Sequence, residues 1–461
     1  MIPDQPHPRR RAPSRRQLLQ WAAGGSAAAA SLQALGTAGL LRAVRGGGPE
    51  DYKALVVMYL AGGNDSFNML VPTSAQAYAE YAASRQNLAV PLNDLVPIAP
   101  ATPDQNSYGL HPALTNIRER FDSNKLAFVA NVGSLVRPVT RSEYLDRTAV
   151  LPPLLFSHKH QQAQTMQVDA GDDDALGWGG RFGDTLRQMN GGSPLSPGIS
   201  IAGSTPLLTG DPTQGYHLRS SGSVALTGFT GAGGPALRAT FDDLRQRSHS
   251  NLLHEEFAQT RNESIELDAL VTAALATGSP LQTDFSEGGP VAGQLRMVAR
   301  MMQVRSALEM QRQVFFVRMG GFDTHGGQIG DQPTLFHNID VAIRAFHEAM
   351  EELGLENKVT LAVISEFGRT LSSNGQGTDH GWGGHYLVSG GAVAGGDIYG
   401  SMPRFVLDGP DDSGRGRIIP TTATDQFTAT LGRWFGIPDL DLPQILPNLN
   451  QFAAADLGFL G

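Results

Sequence analysis

Residues 54–60 read ALVVMYL, an apolar run with no polar residue inside it. A strand with one face in water alternates apolar and polar side chains, whereas an unbroken apolar run belongs to a strand covered on both faces. Such a strand needs a parallel sheet with helices on either side. The pattern recurs at 125–134 (KLAFVANVGS), 313–319 (QVFFVRM), 358–365 (KVTLAVIS) and 386–391 (YLVSGG). Helical spacing lies between these runs, at 111–121, about 237–275, 290–312, 331–353 and 424–435. Strands alternating with helices predict an α/β fold, a doubly wound, mostly parallel sheet. The stretch 150–235 is rich in Gly, Ser, Pro and Thr, with a short strand candidate at 198–203 (GISIAG). It reads as a cap or insertion packed on that sheet. The end, from Pro438 on, is loop-rich with apolar residues draped on the body.

The N-terminus has a different character. Arg9–Arg11 form a basic lead-in, SRRQLLQ (14–20) sets Arg15-Arg16 before Leu18-Leu19, and an alanine-rich stretch runs from Trp21 to about Leu41. This is the pattern of a twin-arginine export signal over residues 1–45, cleaved between about Gly36 and Gly47. The remainder, 46–461, is then one α/β domain delivered to the periplasm or secreted. Beyond the signal no stretch approaches the ~20 apolar residues of a spanning helix, so no stable membrane span is expected after cleavage.

The chain has no cysteine, which excludes disulfides, thiolate metal ligands and a cysteine nucleophile. Of 35 basic residues seven lie in the signal, and of 44 acidic residues one does. The mature part therefore holds 28 basic and 43 acidic residues, a net −15. So acidic a surface argues against nucleic acid or anionic lipid as partner.

The chemistry-bearing residues cluster at strand ends. The first strand runs into AGGNDSFN and delivers Asp65. Strand 313–319 runs into GGFDTH and delivers Asp323 and His325. Strand 358–365 runs into EFGRT and delivers Glu366 and Arg369. The same loop continues to GTDHGWGGH (377–385), with Asp379, His380 and His385 among glycines. Ligands of open α/β sheets bind beyond the carboxyl ends of the strands. Carboxylates gathered there repel one another unless a cation or protons intervene. Imidazole and carboxylate without thiolate suit zinc, manganese or iron over magnesium or calcium and predict a divalent metal, Zn or Mn first, as one or two ions. The candidate ligands are Asp65, Asp323, His325, Glu366, Asp379, His380 and His385. FSHKHQQAQ (156–164) adds His158 and His160 at alternate positions, either a polar loop or a substrate or outer-sphere contact. No G-x-S-x-G elbow and no G-x-G-x-x-G loop is present, which argues against an α/β-hydrolase serine esterase and a dinucleotide fold.

Taken together, MYLAGGNDSFNMLVP (58–72), FSHKHQQAQ, GGFDTH, SEFGRT, GTDHGWGGHY (377–386) and RWFGIPDLDLPQILPNL (433–449) resemble the exported bacterial family known as domain of unknown function 1501. The resemblance covers the chain from about Lys53 to Phe452. That family is grouped with the alkaline phosphatase-like superfamily. The resemblance implies that superfamily's α/β core, with one or two metals at the carboxyl edge and a Ser/Thr nucleophile. By position, Asp65 would be the first-strand ligand, Asp323 and His325 the middle pair, Glu366 the acid after its strand, and His385 the last histidine. The nucleophile would lie shortly after the second strand, where Thr140 and Ser142 precede a helical run, with Ser66, next to Asp65, as a third candidate. Thr140 with Glu143 equally fits a helix cap. Arg141 or Arg369 could grip an anionic ester oxygen. The implied function is an exported metal-dependent hydrolase of small or polymer-linked phosphate or sulfate esters. The alternative is a non-catalytic exported scaffold or binding protein that keeps the metallohydrolase core.

Overall fold

The computed structural model describes residues 51–168, 176–223, 233–245, 247 and 250–461. The expected twin-arginine signal, residues 1–45, lies outside the described residues. In chain order the strands are β1 Lys53–Leu60, β2 Leu70–Pro72, β3 Val96–Ile98, β4 Tyr108–Leu110, β5 Leu126–Gly133, β6 Gly198–Ser200, β7 Tyr216–His217, β8 Arg312–Met319, β9 Val359–Ser365, β10 Gly384–Ser389, β11 Ile398–Tyr399 and β12 Thr422–Ala423. The α-helices are α1 Ala75–Arg85, α2 Thr115–Asp122, α3 Arg141–Leu145, α4 His158–Gln167, α5 Trp178–Thr185, α6 Gly234–Arg245, α7 Leu252–Thr277, α8 Gly289–Gln303, α9 Gln328–Glu352, α10 Thr424–Phe435 and α11 Leu442–Ile445.

The central sheet runs β11-β5-β10-β9-β1-β8-β6-β7, with β12 also on β5. All its pairings are parallel except those of β10, which is antiparallel to both β5 and β9. The unalternated strand β1 sits in the middle, and its side chains part to opposite faces. Val56, Met58 and Leu60 join a core with Ile117 of α2, Val298 of α8 and Ile343 of α9. Leu55, Val57 and Tyr59 join a second core with Phe182 of α5 and Phe427 and Leu431 of α10. This two-sided burial is what removes the polar alternation. The fold is therefore the α/β, mostly parallel, doubly covered sheet that the apolar runs predict.

Two helical stretches divide where the spacing suggests continuity. The 237–275 run is two helices, α6 and α7, and Asn251 caps the second by accepting from Leu253 N and His254 N. The 290–312 run stops at Gln303, and a turn with Glu309 at a left-handed φ of 54° leads into β8. The Gly/Ser-rich stretch 150–235 does more than pack on the sheet. Its β6 pairs in parallel with β8, β7 extends the edge, and Trp178 and Phe182 of α5 lie in the second core. Short strands of small residues give too weak a periodicity to be placed in a sheet from sequence. The loop-rich end is anchored by Leu442, Leu446, Leu449 and Phe459, all buried in that same core. No helix among the described residues is long and apolar enough to cross a membrane.

Candidate metal centre at the sheet edge

The register of the three central strands sets the geometry. Leu60 of β1 lies opposite Met319 of β8 and Ser365 of β9, so all three stop at one level. Four residues past β8 comes Asp323, and one past β9 comes Glu366. The turn after β1 crosses between them. A Cβ on Gly62 would lie well inside van der Waals distance of the Asp323 backbone N, and its φ is 124°. Only glycine lets the first turn pass this close to the second. In return Gly62 N donates to Glu366 Oε1 at 2.8 Å.

The segment 377–385 then lies back across 366–370 as an irregular two-stranded strap. Gly381 N donates to Gly368 O at 2.8 Å, Gly368 N to Trp382 O at 3.0 Å, and Thr370 N to Asp379 O at 3.0 Å. A Cβ on Gly381 would meet Gly368 O at 2.6 Å. The glycines of this motif thus serve close approach. Trp382 is fully buried behind the strap, its Nε1 donating to Ser134 O at 2.9 Å.

Four imidazole or carboxylate groups converge in front of the strap. His325 Nε2 lies 3.1 Å from Asp323 Oδ1 and 3.0 Å from His380 Nε2. His380 Nε2 lies 3.3 Å from Asp323 Oδ1, and His158 Nε2 lies 3.5 Å from Asp323 Oδ2. Ligand atoms of His158, Asp323 and His380 all fall within 4.8 Å of one another. The outward nitrogens all meet oxygens. His380 Nδ1 sits 2.8 Å from Phe156 O, which can only accept. His325 Nδ1 faces Asp379 Oδ1 at 3.2 Å, and His158 Nδ1 faces Glu366 Oε1 at 3.0 Å. Each Nδ1 thus faces an oxygen on the outer side and each Nε2 is turned toward Asp323, with the His380 proton placed on Nδ1 by the Phe156 carbonyl. Imidazoles so oriented by carbonyl or carboxylate partners are the usual setting of metal-bound histidines.

The electrostatics agree. Burial, reinforced by the charges of His158 and Arg369, lowers the His380 pKa despite the Phe156 bond, which keeps the ring neutral. Burial works against the charge on Asp323, but the hydrogen bond and charge of Arg369, with His325 and His158, hold it below the usual carboxylate range. Three ring nitrogens and a carboxylate held this close need a cation or shared protons among them. Bonds of about 2.0–2.1 Å to zinc imply ligand separations of about 3.3 Å along a tetrahedral edge, near the 3.0–3.5 Å of the four pairs that join His325, Asp323 and His380 and tie His158 to Asp323, while the group of His158, Asp323 and His380 as a whole spans up to 4.8 Å. The donor set therefore fits a divalent cation, with His158, Asp323, His325 and His380 able to hold it. Asp323 and His325 are each 45% exposed, so the centre faces solvent.

The remaining candidates lie elsewhere. Asp65 is buried in an ion pair with Arg85 of α1 and also accepts from Gln328. It reaches the cluster only through a chain: Thr378 Oγ1 donates to Gln328 Oε1 at 2.8 Å and accepts from Arg369 Nε at 3.2 Å. His385 is fully enclosed against Phe67 and accepts the Asn131 N–H at Nδ1, 3.1 Å. Its proton is thus on Nε2, which leaves no lone pair for a ligand bond. Glu366 and Asp379 orient histidines from the far side. Arg369 is fully buried and donates to Asp323 Oδ1 at 2.7 Å, Gly62 O at 3.0 Å and Thr378. These bonds hold Asp323 and leave Arg369 away from any ester. Thr140 and Glu143 form the capping box of α3, and Ser142 Oγ lies 3.3 Å from Thr140 Oγ1. An open groove of about 880 Å³ between α7 and the 193–197 loop contains none of these residues.

The sequence reading gave His158 at most an outer role, because it lies 165 positions before Asp323 and begins a helix instead of ending a strand. Its only signal was the alternate-position histidine pair in FSHKH.

The family model described as "Protein of unknown function (DUF1501)" matches residues 52–413. The chain belongs to this family. No curated protein matches it. Solved structures similar to it include Ps i-CgsB, with 10% identity, TM-score 0.33, 86% of this chain and 77% of that one covered. The zinc complex of the C-terminal periplasmic domain of EptC from Escherichia coli has 9% identity, TM-score 0.31, and 74% of each chain covered. The lipoteichoic acid synthase LtaP from Listeria monocytogenes has 8% identity, TM-score 0.30, and 86% and 76% covered.

Proposed function

We propose that this member of the family is an exported hydrolase of phosphate or sulfate esters that works with one divalent metal ion, zinc or manganese. The observation that carries the reading is the set of three histidines whose Nδ1 atoms face oxygens on the outer side while their Nε2 atoms converge on Asp323 at 3.1–3.5 Å. Charge favours one ion over two. Asp323, Glu366 and Asp379 against Arg369 leave a local −2, which one dication balances. The carboxylate that a second ion would use, Asp65, is already neutralised by Arg85.

The bound ion would supply Lewis-acid polarisation of an ester oxygen. The chain does the rest. Arg369 holds Asp323 in place, Glu366 and Asp379 keep His158 and His325 in the ligating tautomer, and Phe156 O does so for His380. Thr140 and Ser142 have their hydroxyls in the cap of α3, so water is the better candidate for the attacking group. Export by the twin-arginine route, after folding, suits a protein that loads its metal first.

Protein purified without a metal-affinity tag and assayed by elemental analysis should hold about one zinc or manganese per chain. Hydrolysis of aryl phosphate or aryl sulfate should be lost with chelator and restored by metal. Metal-free protein that cannot be reconstituted, or activity untouched by Asp323→Ala, would refute the reading.

A further inference from the structure

An ester hydrolase needs a cation for the oxygens that the metal does not take, and Arg369, the arginine nearest in sequence, is consumed by the fold. Arg417 is placed differently. Its Nε donates to His380 O at 3.1 Å, and its guanidinium lies over the Phe156 ring with 4.0 Å to the centroid. The Phe156 carbonyl in turn accepts the His380 Nδ1–H, so Arg417 is fastened both to one candidate ligand and to that ligand's own partner. Stacking uses the face of the guanidinium and leaves its edge free. Among the described residues its two Nη groups carry no hydrogen bond, while Nε is the anchored atom. A half-buried planar fork, held from one side and free at its edge beside the candidate centre, has the form of an oxyanion receptor.

We infer that Arg417 binds the anionic oxygens of a tetrahedral ester group, phosphate or sulfate, presented to the His158–Asp323–His325–His380 centre. This rests on the metallohydrolase reading above. With one dication the charges listed there sum to zero, and Arg417 makes the pocket cationic. That selects an anionic ester over a neutral one. A lysine at 417 would keep the charge but neither stack flat on Phe156 nor offer two parallel donors.

The test uses zinc-loaded full chain and the Arg417→Lys and Arg417→Ala variants, titrated calorimetrically with inorganic phosphate and, separately, with sulfate. Wild type should bind one of the two, and the preferred anion names the ester class. Arg417→Lys should weaken that binding about tenfold, and Arg417→Ala at least as much, with metal content and Tm unchanged. Equal oxyanion affinity in wild type and Arg417→Ala overturns the assignment. So does a loss that appears only together with loss of metal, since Arg417 would then merely support His380. So does a loaded wild type that binds neither anion. Wild type without metal would count against the hydrolase reading instead. The assignment of Arg417 would then be decided by the same titrations on metal-free protein.

Discussion

Glu366 shows how much one buried side chain can fix. It accepts the Gly62 N–H, which ties the turn after β1 to the end of β9, and it faces His158 Nδ1 at 3.0 Å. Replacing it by glutamine keeps the size and an oxygen at the Oε1 position but removes the charge that makes it a strong acceptor beside His158. Glu366→Gln should weaken metal binding about 10–100-fold, read by competition with a chromophoric chelator. An unchanged affinity would show that Glu366 does not orient the ligand. His385 makes a different prediction. Enclosure pushes its pKa down to about 3, against about 6.5 in an unfolded chain. Between those values the unfolded state binds the extra proton, so the native state loses stability as pH falls from about 6.5 toward 3. At pH 5 the loss from this group is about 2 kcal/mol relative to pH 8. Urea unfolding at both pH values should show it, and the pH 5 to pH 8 difference should shrink by about that amount in His385→Gln.

The strap 377–385 is the element on which the centre depends. Up to Gly383 it lies outside every helix and strand, and its last two residues begin β10, yet its backbone is bonded to 368–370 on both sides of His380. Its tightness comes from glycine at the crossing with Gly368. In Gly381→Ala the new methyl would meet Gly368 O at 2.6 Å, and the strap would have to lift. The expected result is destabilisation by about 1–3 kcal/mol in urea. Weaker metal binding should accompany it, because His380 moves with the strap. A variant equally stable, with full metal content, would show that the strap has slack. Gly/His loops of this kind read as flexible from sequence alone. Here the partner that makes the glycines necessary is another stretch of backbone, which no local pattern reveals.

On the scale of the molecule, the centre joins segments far apart in the chain: 156–158, 323–325, 366–369 and 377–385. Metal binding should therefore stabilise the whole fold and not one loop. At a free-metal concentration a hundredfold above Kd the added stability is about 2.7 kcal/mol. Chelation should lower Tm, and the readdition of metal should restore it in a single transition. If chelation leaves Tm unchanged, metal does not bind the native state with the affinity proposed. The sheet and its layers follow from runs such as ALVVMYL, since two-sided burial imprints an unbroken apolar stretch on any chain. Strand-end acids were equally legible, because a parallel sheet must put its carboxyl ends on one edge. Which acids share a centre was not. Asp65 and Asp323 follow similar Gly-Gly turns, but Arg85 waits for the first and Arg369, with three imidazoles, for the second.

What the sequence determined by itself is therefore the set of local, periodic properties: covered parallel strands, where each one stops, the absence of thiol chemistry, and the acid and histidine content of the strand-end loops. Tertiary structure alone decided the membership of the centre. It brought in His158 from the start of a helix, turned His385 into an enclosed aromatic neighbour, and set Arg417 against Phe156. Backbone periodicity is written along the chain, whereas the partner of a polar side chain is chosen by what the fold carries next to it.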